Sequence, residues 1–231
     1  MESTKKRNYF IATILIALSL GIWAYRNHEK NKEIESLVNL MMEPDAITLN
    51  RSTEYIQSGI TKDSLGDFNG AIADCTKAIG LIPTEAKWYT YRGTLKNKIK
   101  DYIGAIADYS KAIELAPTDA NIYVNRANSK DEIKDYRGAI ADYTKAIKLE
   151  PNHAIAYNNR GFSKDNLHNY SGAIADYTKA IELEPNYAEA YMLRGFSKLI
   201  LKQKNSACLD FSKANELGHN NANNMIREYC N

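Results

Sequence analysis

The sequence predicts an all-α solenoid of about five stacked helix hairpins, and three observations support this fold class. A ten-residue phrase returns every 34 residues, beginning at Gly70, Gly104, Gly138 and Gly172, with a weaker copy from Ser206. Tyrosines and prolines recur with the same period. A period of this length is typical of stacked supersecondary units rather than of a closed globular core.

Composition and charge exclude several functional classes. The net charge is +2, and basic and acidic residues are interspersed, which is typical of a solvated surface. Nucleic-acid binders need a one-sided basic field, so we expect no nucleic-acid partner. The four histidines show no metal-ligand spacing, and the chain contains no catalytic or dinucleotide-binding motif. We therefore expect neither an enzyme nor a bound cofactor.

The N-terminus carries a membrane signal. A basic segment, residues 1–8, precedes an apolar run at 9–25 that we predict to be a transmembrane helix or signal anchor. The uncharged stretch has 18 residues, which is near the lower limit for crossing the hydrocarbon core. A cleaved signal peptide is the alternative, but the small residues that precede a cleavage site are poorly placed here.

The orientation of this segment depends on a small difference in charge. Lys5, Lys6 and Arg7 on one side are matched by three basic residues on the other. The free N-terminal amine favours the N-terminus inside, by the positive-inside rule. The repeats would then be extracytoplasmic on a single-pass protein. A secreted or periplasmic domain after cleavage, or a cytoplasmic-facing domain, remains open.

A juxtamembrane linker follows at 26–50 and contains a short amphipathic helix. Its apolar residues fall at helical spacing and end before Pro44; they are Ile34, Leu37, Val38, Met41 and Met42. The stripe either packs on the first repeat or forms the seam of a homodimer beside the membrane.

The first helix of each repeat carries a tyrosine, followed four residues later by a small residue. The small residues are Gly59, Gly93, Ala127, Gly161 and Gly195. Glycine costs about 1 kcal/mol in a helix interior, so its recurrence predicts a close approach between helices. These residues, and the repeated tyrosines and alanines of the second helix, are expected to serve the fold rather than a site.

An aromatic residue marks the turn, and a proline marks the end of the second helix. The turn aromatics are Phe68, Tyr102, Tyr136 and Tyr170, and the prolines are Pro83, Pro117, Pro151 and Pro185. Proline cannot continue a helix, so each second helix should end just before it.

At these offsets the chain resembles the tetratricopeptide repeat (TPR) family. The resemblance covers repeats at 52–85, 86–119, 120–153, 154–187 and 188–221. It implies a right-handed superhelix of helix hairpins with a concave inner face. The first repeat departs by placing Cys75 where others have tyrosine, and the fifth lacks the turn aromatic and the proline. Terminal repeats of solenoids are expected to be atypical.

Arginine and aspartate replace the apolar residues that the TPR pattern has at two places. The arginines are Arg92, Arg126, Arg160 and Arg194, and the aspartates are Asp74, Asp108, Asp142, Asp176 and Asp210. Because the first repeat has Ser58 in place of arginine but keeps Asp74, we expect each arginine to reach back to the preceding repeat. Arg92 would pair with Asp74, and Arg227 would serve Asp210. Weak exposed pairs are the alternative.

The TPR resemblance places binding on the first helices, which line the concave face. We expect a protein or extended peptide partner held by a groove of asparagines and aromatics: Lys87, Tyr91, Asn121, Asn125, Asn128, Asn158, Asn159 and Phe162. A merely soluble polar surface is the alternative. Asn128 and Asn159 match the carboxylate clamp of chaperone-docking TPR domains, but Val124, Glu189 and Leu193 stand where that clamp needs basic residues.

The C-terminal tail, 222–231, is predicted to be a capping helix over the apolar end of the last repeat. In an extracytoplasmic domain, Cys208 and Cys230 could form a disulfide that pins it. Asp63, Asp131 and Asp165 recur with the period and are interpreted as surface acids. The sequence thus favours a membrane-anchored interaction scaffold. The alternative is a spacer or homo-oligomeric assembly subunit without a groove ligand.

Overall fold

The computed structural model describes residues 44–230, with the side chains described from residue 46 onward. The expected transmembrane segment at 9–25 and the apolar stripe at 34–42 lie outside these described residues. Within residues 44–230, none of the helices combines the length and apolarity that a membrane crossing requires.

The chain divides into two units, residues 1–54 and 55–231. The described residues of the first unit belong to the start of helix α1, Pro44–Ser64, where the Thr53 hydroxyl donates to the Leu49 carbonyl at 2.9 Å. The second unit contains the repeats. The described residues form helices and connecting turns, with no strand among residues 44–230.

Helices of the second unit alternate as first and second members of five hairpins, followed by one further helix. The first members after α1 are α3 (Ala86–Lys98), α5 (Ala120–Glu132), α7 (Ala154–Asn166) and α9 (Ala188–Ile200). The second members are α2 (Phe68–Leu81), α4 (Tyr102–Leu115), α6 (Tyr136–Leu149), α8 (Tyr170–Leu183) and α10 (Lys204–Glu216). The final helix is α11 (Ala222–Tyr229).

Local chemistry explains where the second helices begin and end. The side chain of the N-cap residue Asp101 accepts a hydrogen bond from the Gly104 amide, and Asp67, Asp135 and Asn169 do the same in their repeats. This contact satisfies one of the amides that a helix start leaves unbonded. The prediction from proline is confirmed, since α4 ends at Leu115, two residues before Pro117.

Close helix packing explains the glycines of the first helices. A Cβ atom added to Gly161 would lie 2.7 Å from the ring of Tyr177. The predicted close approach is therefore confirmed. In the first repeat the same place in the second helix holds Cys75, which is buried, and a Cβ on Gly59 would make only an ordinary contact with its sulfur at 3.7 Å. The core is otherwise built mainly from alanines and from fully buried Tyr109, Tyr143, Tyr177 and Phe211.

The last hairpin is covered by α11. Met225 and Ile226 of this helix pack against a cluster that includes Met192 and Phe211. A disulfide joins Cys208 in α10 to Cys230 at the end of α11, with 5.7 Å between their Cα atoms. The cross-link closes a segment with a sequence separation of 22 and ties the final helix to the last repeat.

Candidate binding face and buried polar ladders

In the second to fifth repeats, an arginine of the first helix binds an aspartate of the second helix in its own repeat. Arg126 donates from Nε to Asp142 Oδ2 at 2.8 Å and from Nη2 to Oδ1 at 2.7 Å. We call this set the arginine–aspartate ladder; its pairs are Arg92–Asp108, Arg126–Asp142, Arg160–Asp176 and Arg194–Asp210. Such two-pronged contacts fix orientation as well as charge.

The expected partners of this ladder were therefore wrong. We assigned Arg126 to Asp108 in the preceding repeat, but Asp108 is bonded to Arg92. Asp210, assigned to Arg227, is bonded to Arg194 and Lys198. The alternative of weak exposed pairs is wrong too, because the aspartates are buried and the arginines are 14–19% exposed.

A lysine one turn beyond each arginine gives the aspartate a second cation. Lys130 lies 2.7 Å from Asp142, and the equivalent lysines bind the other ladder aspartates. In the first repeat, Lys62 and Ser58 both contact Asp74, so the lysine supplies the charge that the missing arginine would bring. Hydrogen bonds from Lys62 and Ser58 lower the pKa of Asp74 to about 2.

The arginines also connect neighbouring repeats, through hydroxyls rather than carboxylates. Arg126 Nη1 donates to the Ser110 hydroxyl of the preceding repeat at 3.0 Å. The other contacts of this kind are Arg92–Thr76, Arg160–Thr144 and Arg194–Thr178. Each guanidinium thus bridges three helices, two in its own repeat and one in the repeat before it.

A second set of buried polar contacts joins successive first helices, and we call it the aspartate–hydroxyl row. The Ser163 hydroxyl of α7 donates to Asp131 of α5 at 2.7 Å, and Tyr143 donates to the same carboxylate at 2.8 Å. Its three members are Asn97 with Ser129 and Tyr109, Asp131 with Ser163 and Tyr143, and Asp165 with Ser197 and Tyr177.

Burial raises the pKa of Asp131 to about 6, and burial also raises that of Asp165. Ser163 and Tyr143 oppose the shift at Asp131, whereas the charges of Glu132 and Asp135 add to it. Hydroxyl donors therefore do not fully replace the water that the carboxylate loses.

Our interpretation of these acids as surface residues was wrong for this reason. Asp131 and Asp165 are half-buried and hold adjacent repeats together. The third acid, Asp63, forms an ion pair with Lys98 of the next repeat at 2.5 Å. Repetition alone could not distinguish an exposed acid from one turned toward the neighbouring helix.

The residues expected to form the groove differ in accessibility. We call them the first-helix face, and its members are Lys87, Tyr91, Asn121, Asn125, Asn128, Asn158, Asn159 and Phe162. Lys87, Asn121 and Phe162 are exposed, and Phe162 is 42% exposed despite its apolar ring. Tyr91 is half-buried and donates to Asp63 at 3.4 Å.

Three of the asparagines form an internal network rather than a free row. Asn159 Nδ2 donates to Asn128 Oδ1 at 3.0 Å, and Asn158 Nδ2 donates to Asn159 Oδ1 at 3.2 Å. The single hydroxyl proton of Tyr143 is shared between Asn128 Oδ1, at 2.6 Å, and Asp131 Oδ2, at 2.8 Å, which joins the network to Asp131. Asn158 is only 4% exposed, and its Oδ1 atom has no hydrogen-bond partner among the described residues.

Asn121 and Asn125 behave differently from these three. Asn121 is exposed and Asn125 is half-buried, and within residues 44–230 neither side-chain amide makes a hydrogen bond to another side chain. They are therefore the asparagines of the face whose amides remain available to a ligand, whereas the unbonded oxygen of Asn158 is buried.

Family models identify the repeats within this structure. A model of the tetratricopeptide repeat matches residues 154–187, and a model of the TPR repeat matches residues 132–164. The presence of TPR repeats is thereby confirmed. No curated protein matches the chain.

Solved structures share the fold over most of the chain. The crystal structure of MamA protein is 27% identical, covers 75% of this chain and 94% of its own, and has a TM-score of 0.68. MamA 41-end from Desulfovibrio magneticus RS-1 is 19% identical, covers 72% and 94%, and has a TM-score of 0.69. YrrB, described as a TPR protein with an unusual peptide-binding site, is 18% identical, covers 80% and 98%, and has a TM-score of 0.66. The chain is thus an all-α TPR solenoid.

Proposed function

We propose that this chain of TPR repeats is a protein-interaction scaffold that binds a protein or extended peptide on the first-helix face. The observation that carries the proposal is the combination of free amides and an exposed ring on that face. Among residues 44–230, Asn121 and Asn125 offer amides without side-chain partners, and Phe162 exposes an apolar ring on the first helix of the next repeat. An asparagine amide can both donate to and accept from a peptide backbone. YrrB, a structure of similar fold, is described as having a peptide-binding site.

Affinity capture with the full-length chain tests this function. The binding variant carries Asn121→Ala, Asn125→Ala and Phe162→Ala, which remove no hydrogen bond between side chains of residues 44–230. The matched control carries Ile103→Ala and Leu209→Ala on the second helices, where the side chains are 66% and 73% exposed. We expect one specific partner to be retained by the wild type and the control and lost by the binding variant.

Two other results would count against the proposal. A partner retained by all three proteins would place the site on another surface. No partner for any of them would favour the spacer or assembly role, which light scattering then tests. A dimer mass that disappears when Leu37 and Met41 become polar would support that alternative.

We also propose that the apolar run at 9–25 anchors the chain in a membrane with the repeats outside the cytoplasm. The disulfide between Cys208 and Cys230 supports this placement, because disulfides persist mainly in oxidising compartments. A free-thiol assay on protein from its native membrane should find Cys75 alone, and only after unfolding, since Cys75 is buried. Detection of three thiols would argue for a reducing compartment.

A further inference from the structure

Two half-buried carboxylates of the first helices lack a cation. Within residues 44–230, the hydrogen bonds of Asp131 come from Ser163 and Tyr143, and those of Asp165 come from Ser197 and Tyr177. No lysine, arginine or histidine of the described chain lies within ion-pair distance of either. Each of the five aspartates of the second helices accepts from at least two donors. At least one of these donors is a lysine or an arginine.

The first repeat shows how such a carboxylate is satisfied in this fold. Asp63 occupies the place equivalent to Asp131 and Asp165, and Lys98 of the following repeat lies 2.5 Å from it. The residues that stand in the place of Lys98 are Asn166 for Asp131 and Ile200 for Asp165. Asn166 donates to the Phe162 carbonyl of its own helix, and Ile200 is apolar. Among the described residues, a cation therefore pairs with Asp63 but not with Asp131 or Asp165.

A second, independent observation lies on the same helix. Among residues 44–230, Asn158 Oδ1 has no hydrogen-bond partner, although Asn158 is only 4% exposed. A buried acceptor without a donor costs about 1–3 kcal/mol, so a donor that reached this atom on binding would stabilise it.

Helical spacing brings these features together. Asn158, Phe162 and Asp165 stand at i, i+4 and i+7 in α7, and such residues share one helix face. This face of α7 thus presents an exposed apolar ring and a carboxylate that has no cation among the described residues, and the buried acceptor of Asn158 belongs to the same face. The hydrogen-bond network through Asn159, Asn128 and Tyr143 extends it to Asp131.

We infer that this surface of the third and fourth repeats recognises a lysine or arginine side chain in the bound segment. The cation would take the place that Lys98 occupies beside Asp63, and its aliphatic stem would lie on the ring of Phe162. The inference rests on the proposed function, because it names the chemistry of the partner that the first-helix face binds.

Charge balance in this region favours a basic partner over an acidic one. Glu132 and Asp135 add negative charge near Asp131, and both raise its pKa. Lys130 and Lys164, the nearest lysines in sequence, are committed to Asp142 and Asp176. An acidic segment would therefore meet like charge at Asp131, whereas a basic one would be attracted to it.

A random peptide library selected on the full-length wild-type chain provides the probe. We expect enriched peptides to share a lysine or arginine next to an apolar residue. In the strongest binder, changing that cationic residue to glutamine should raise Kd about tenfold, or about 1.4 kcal/mol. On the Asp131→Asn/Asp165→Asn variant the same change should alter Kd by less than about twofold.

Two further variants keep the test independent of folding defects. Asp63→Asn is the matched control, because its carboxylate is already paired, and it should keep the full tenfold discrimination. Asn166→Lys places an internal cation where Lys98 stands in the first repeat, and it should weaken the cationic peptide while leaving the glutamine peptide unchanged.

The outcomes separate this inference from the function on which it rests. Peptides that require Phe162 but show no preference for lysine or arginine would overturn the inference and leave the scaffold function standing. A tenfold preference for the cationic peptide over its glutamine version that survives in the Asp131→Asn/Asp165→Asn variant would also overturn the inference. If no selected peptide depends on Asn121, Asn125 or Phe162, the proposed function itself fails.

Discussion

The arginine–aspartate ladder and the aspartate–hydroxyl row run through the same repeats, but they differ in the groups that bond to their carboxylates. Asp142 receives hydrogen bonds from Arg126 and Lys130, whereas the donors to Asp131 within residues 44–230 are Ser163 and Tyr143. The pKa of Asp74, which is bonded to Lys62 and Lys77, falls to about 2, whereas the pKa of Asp131, which is bonded to hydroxyls, rises to about 6. Burial alone therefore does not determine the charge state, because the partners decide it.

The difference indicates two roles within one layer of helices. A fully paired carboxylate contributes to a stable, specific packing of first and second helices. An incompletely paired one costs stability, and such a cost is commonly retained where a ligand supplies the missing partner. Substitutions in the ladder and in the row test this difference.

The largest effect is expected from Arg126→Ala. This change leaves Asp142 buried with one cation and removes the bridge to Ser110, so unfolding free energy should fall by about 3–5 kcal/mol. Urea denaturation measures it, and Arg137→Ala, an exposed arginine of α6, is the control. A double-mutant cycle should give coupling with Asp142 and none with Asp108. Coupling with Asp108 instead would contradict the pairing seen here.

Neutralising one aspartate from each set should have different effects on the free energy of unfolding. Asp142→Asn should destabilise the fold by about 3 kcal/mol, because it leaves two buried cations without their anion. Asp131→Asn should be neutral or stabilising by about 1 kcal/mol at pH 7, because an amide accepts and donates where Asn97 already does so. Equal losses from both changes, in parallel urea titrations, would remove the distinction.

The stability of the wild type relative to Asp131→Asn should depend on pH. The folded pKa of Asp131 lies above its ordinary value, so its protonated form stabilises the fold below about pH 4, and that contribution is lost as the pH rises through 6. After allowance for partial solvent screening we expect a loss of about 1 kcal/mol across this range.

Denaturation of both proteins at several pH values between these limits measures the difference. Asp165, whose pKa is also raised, titrates in the same sense and is present in both proteins, so it largely cancels in the comparison. A flat difference between the wild type and Asp131→Asn would show that Asp131 is not the group that titrates.

The smallest effect is expected from Ser110→Ala, which removes the hydroxyl that Arg126 reaches in the preceding repeat. A net loss of about 1 kcal/mol is typical of one such hydrogen bond. Thr76→Ala, at the equivalent contact with Arg92, should give a similar value in the same assay. A loss as large as that of Arg126→Ala would mean that the connection between repeats, rather than the pair within one, dominates.

Much of the fold could be predicted because each cue acts locally. A proline ends the helix before it, and a glycine marks the place where a ring comes close, so Pro117 and Gly161 indicate their structural roles without knowledge of the neighbours. The partners of the ladder could not be derived in this way. In a periodic chain, Arg126 has an aspartate on each neighbouring second helix, and repetition does not choose between them.

The atypical first repeat was the only available guide to the ladder, and it was misread. Ser58 stands in place of arginine, but Lys62 supplies the charge to Asp74, so the missing arginine does not show which repeat its aspartate belongs to. Asp131 was missed for a related reason. The equivalent places hold Asp63, Asn97 and Leu199, and this variation hides a half-buried position that looks like variable surface.

The reach of each ladder arginine sets a rule for changing the length of the protein. Arg126 contacts Ser110 and Asp142, which stand 16 residues before and 16 residues after it. Removal of residues 120–153 would place Arg160 at the same 16-residue sequence separation from Ser110 and would leave its pair with Asp176 intact. Loss or gain of a few residues between two of these partners would change the 16-residue spacing of that contact. The chain can therefore lose or gain whole 34-residue repeats. Changes by part of a repeat are disfavoured by the same guanidinium groups that stabilise the native form.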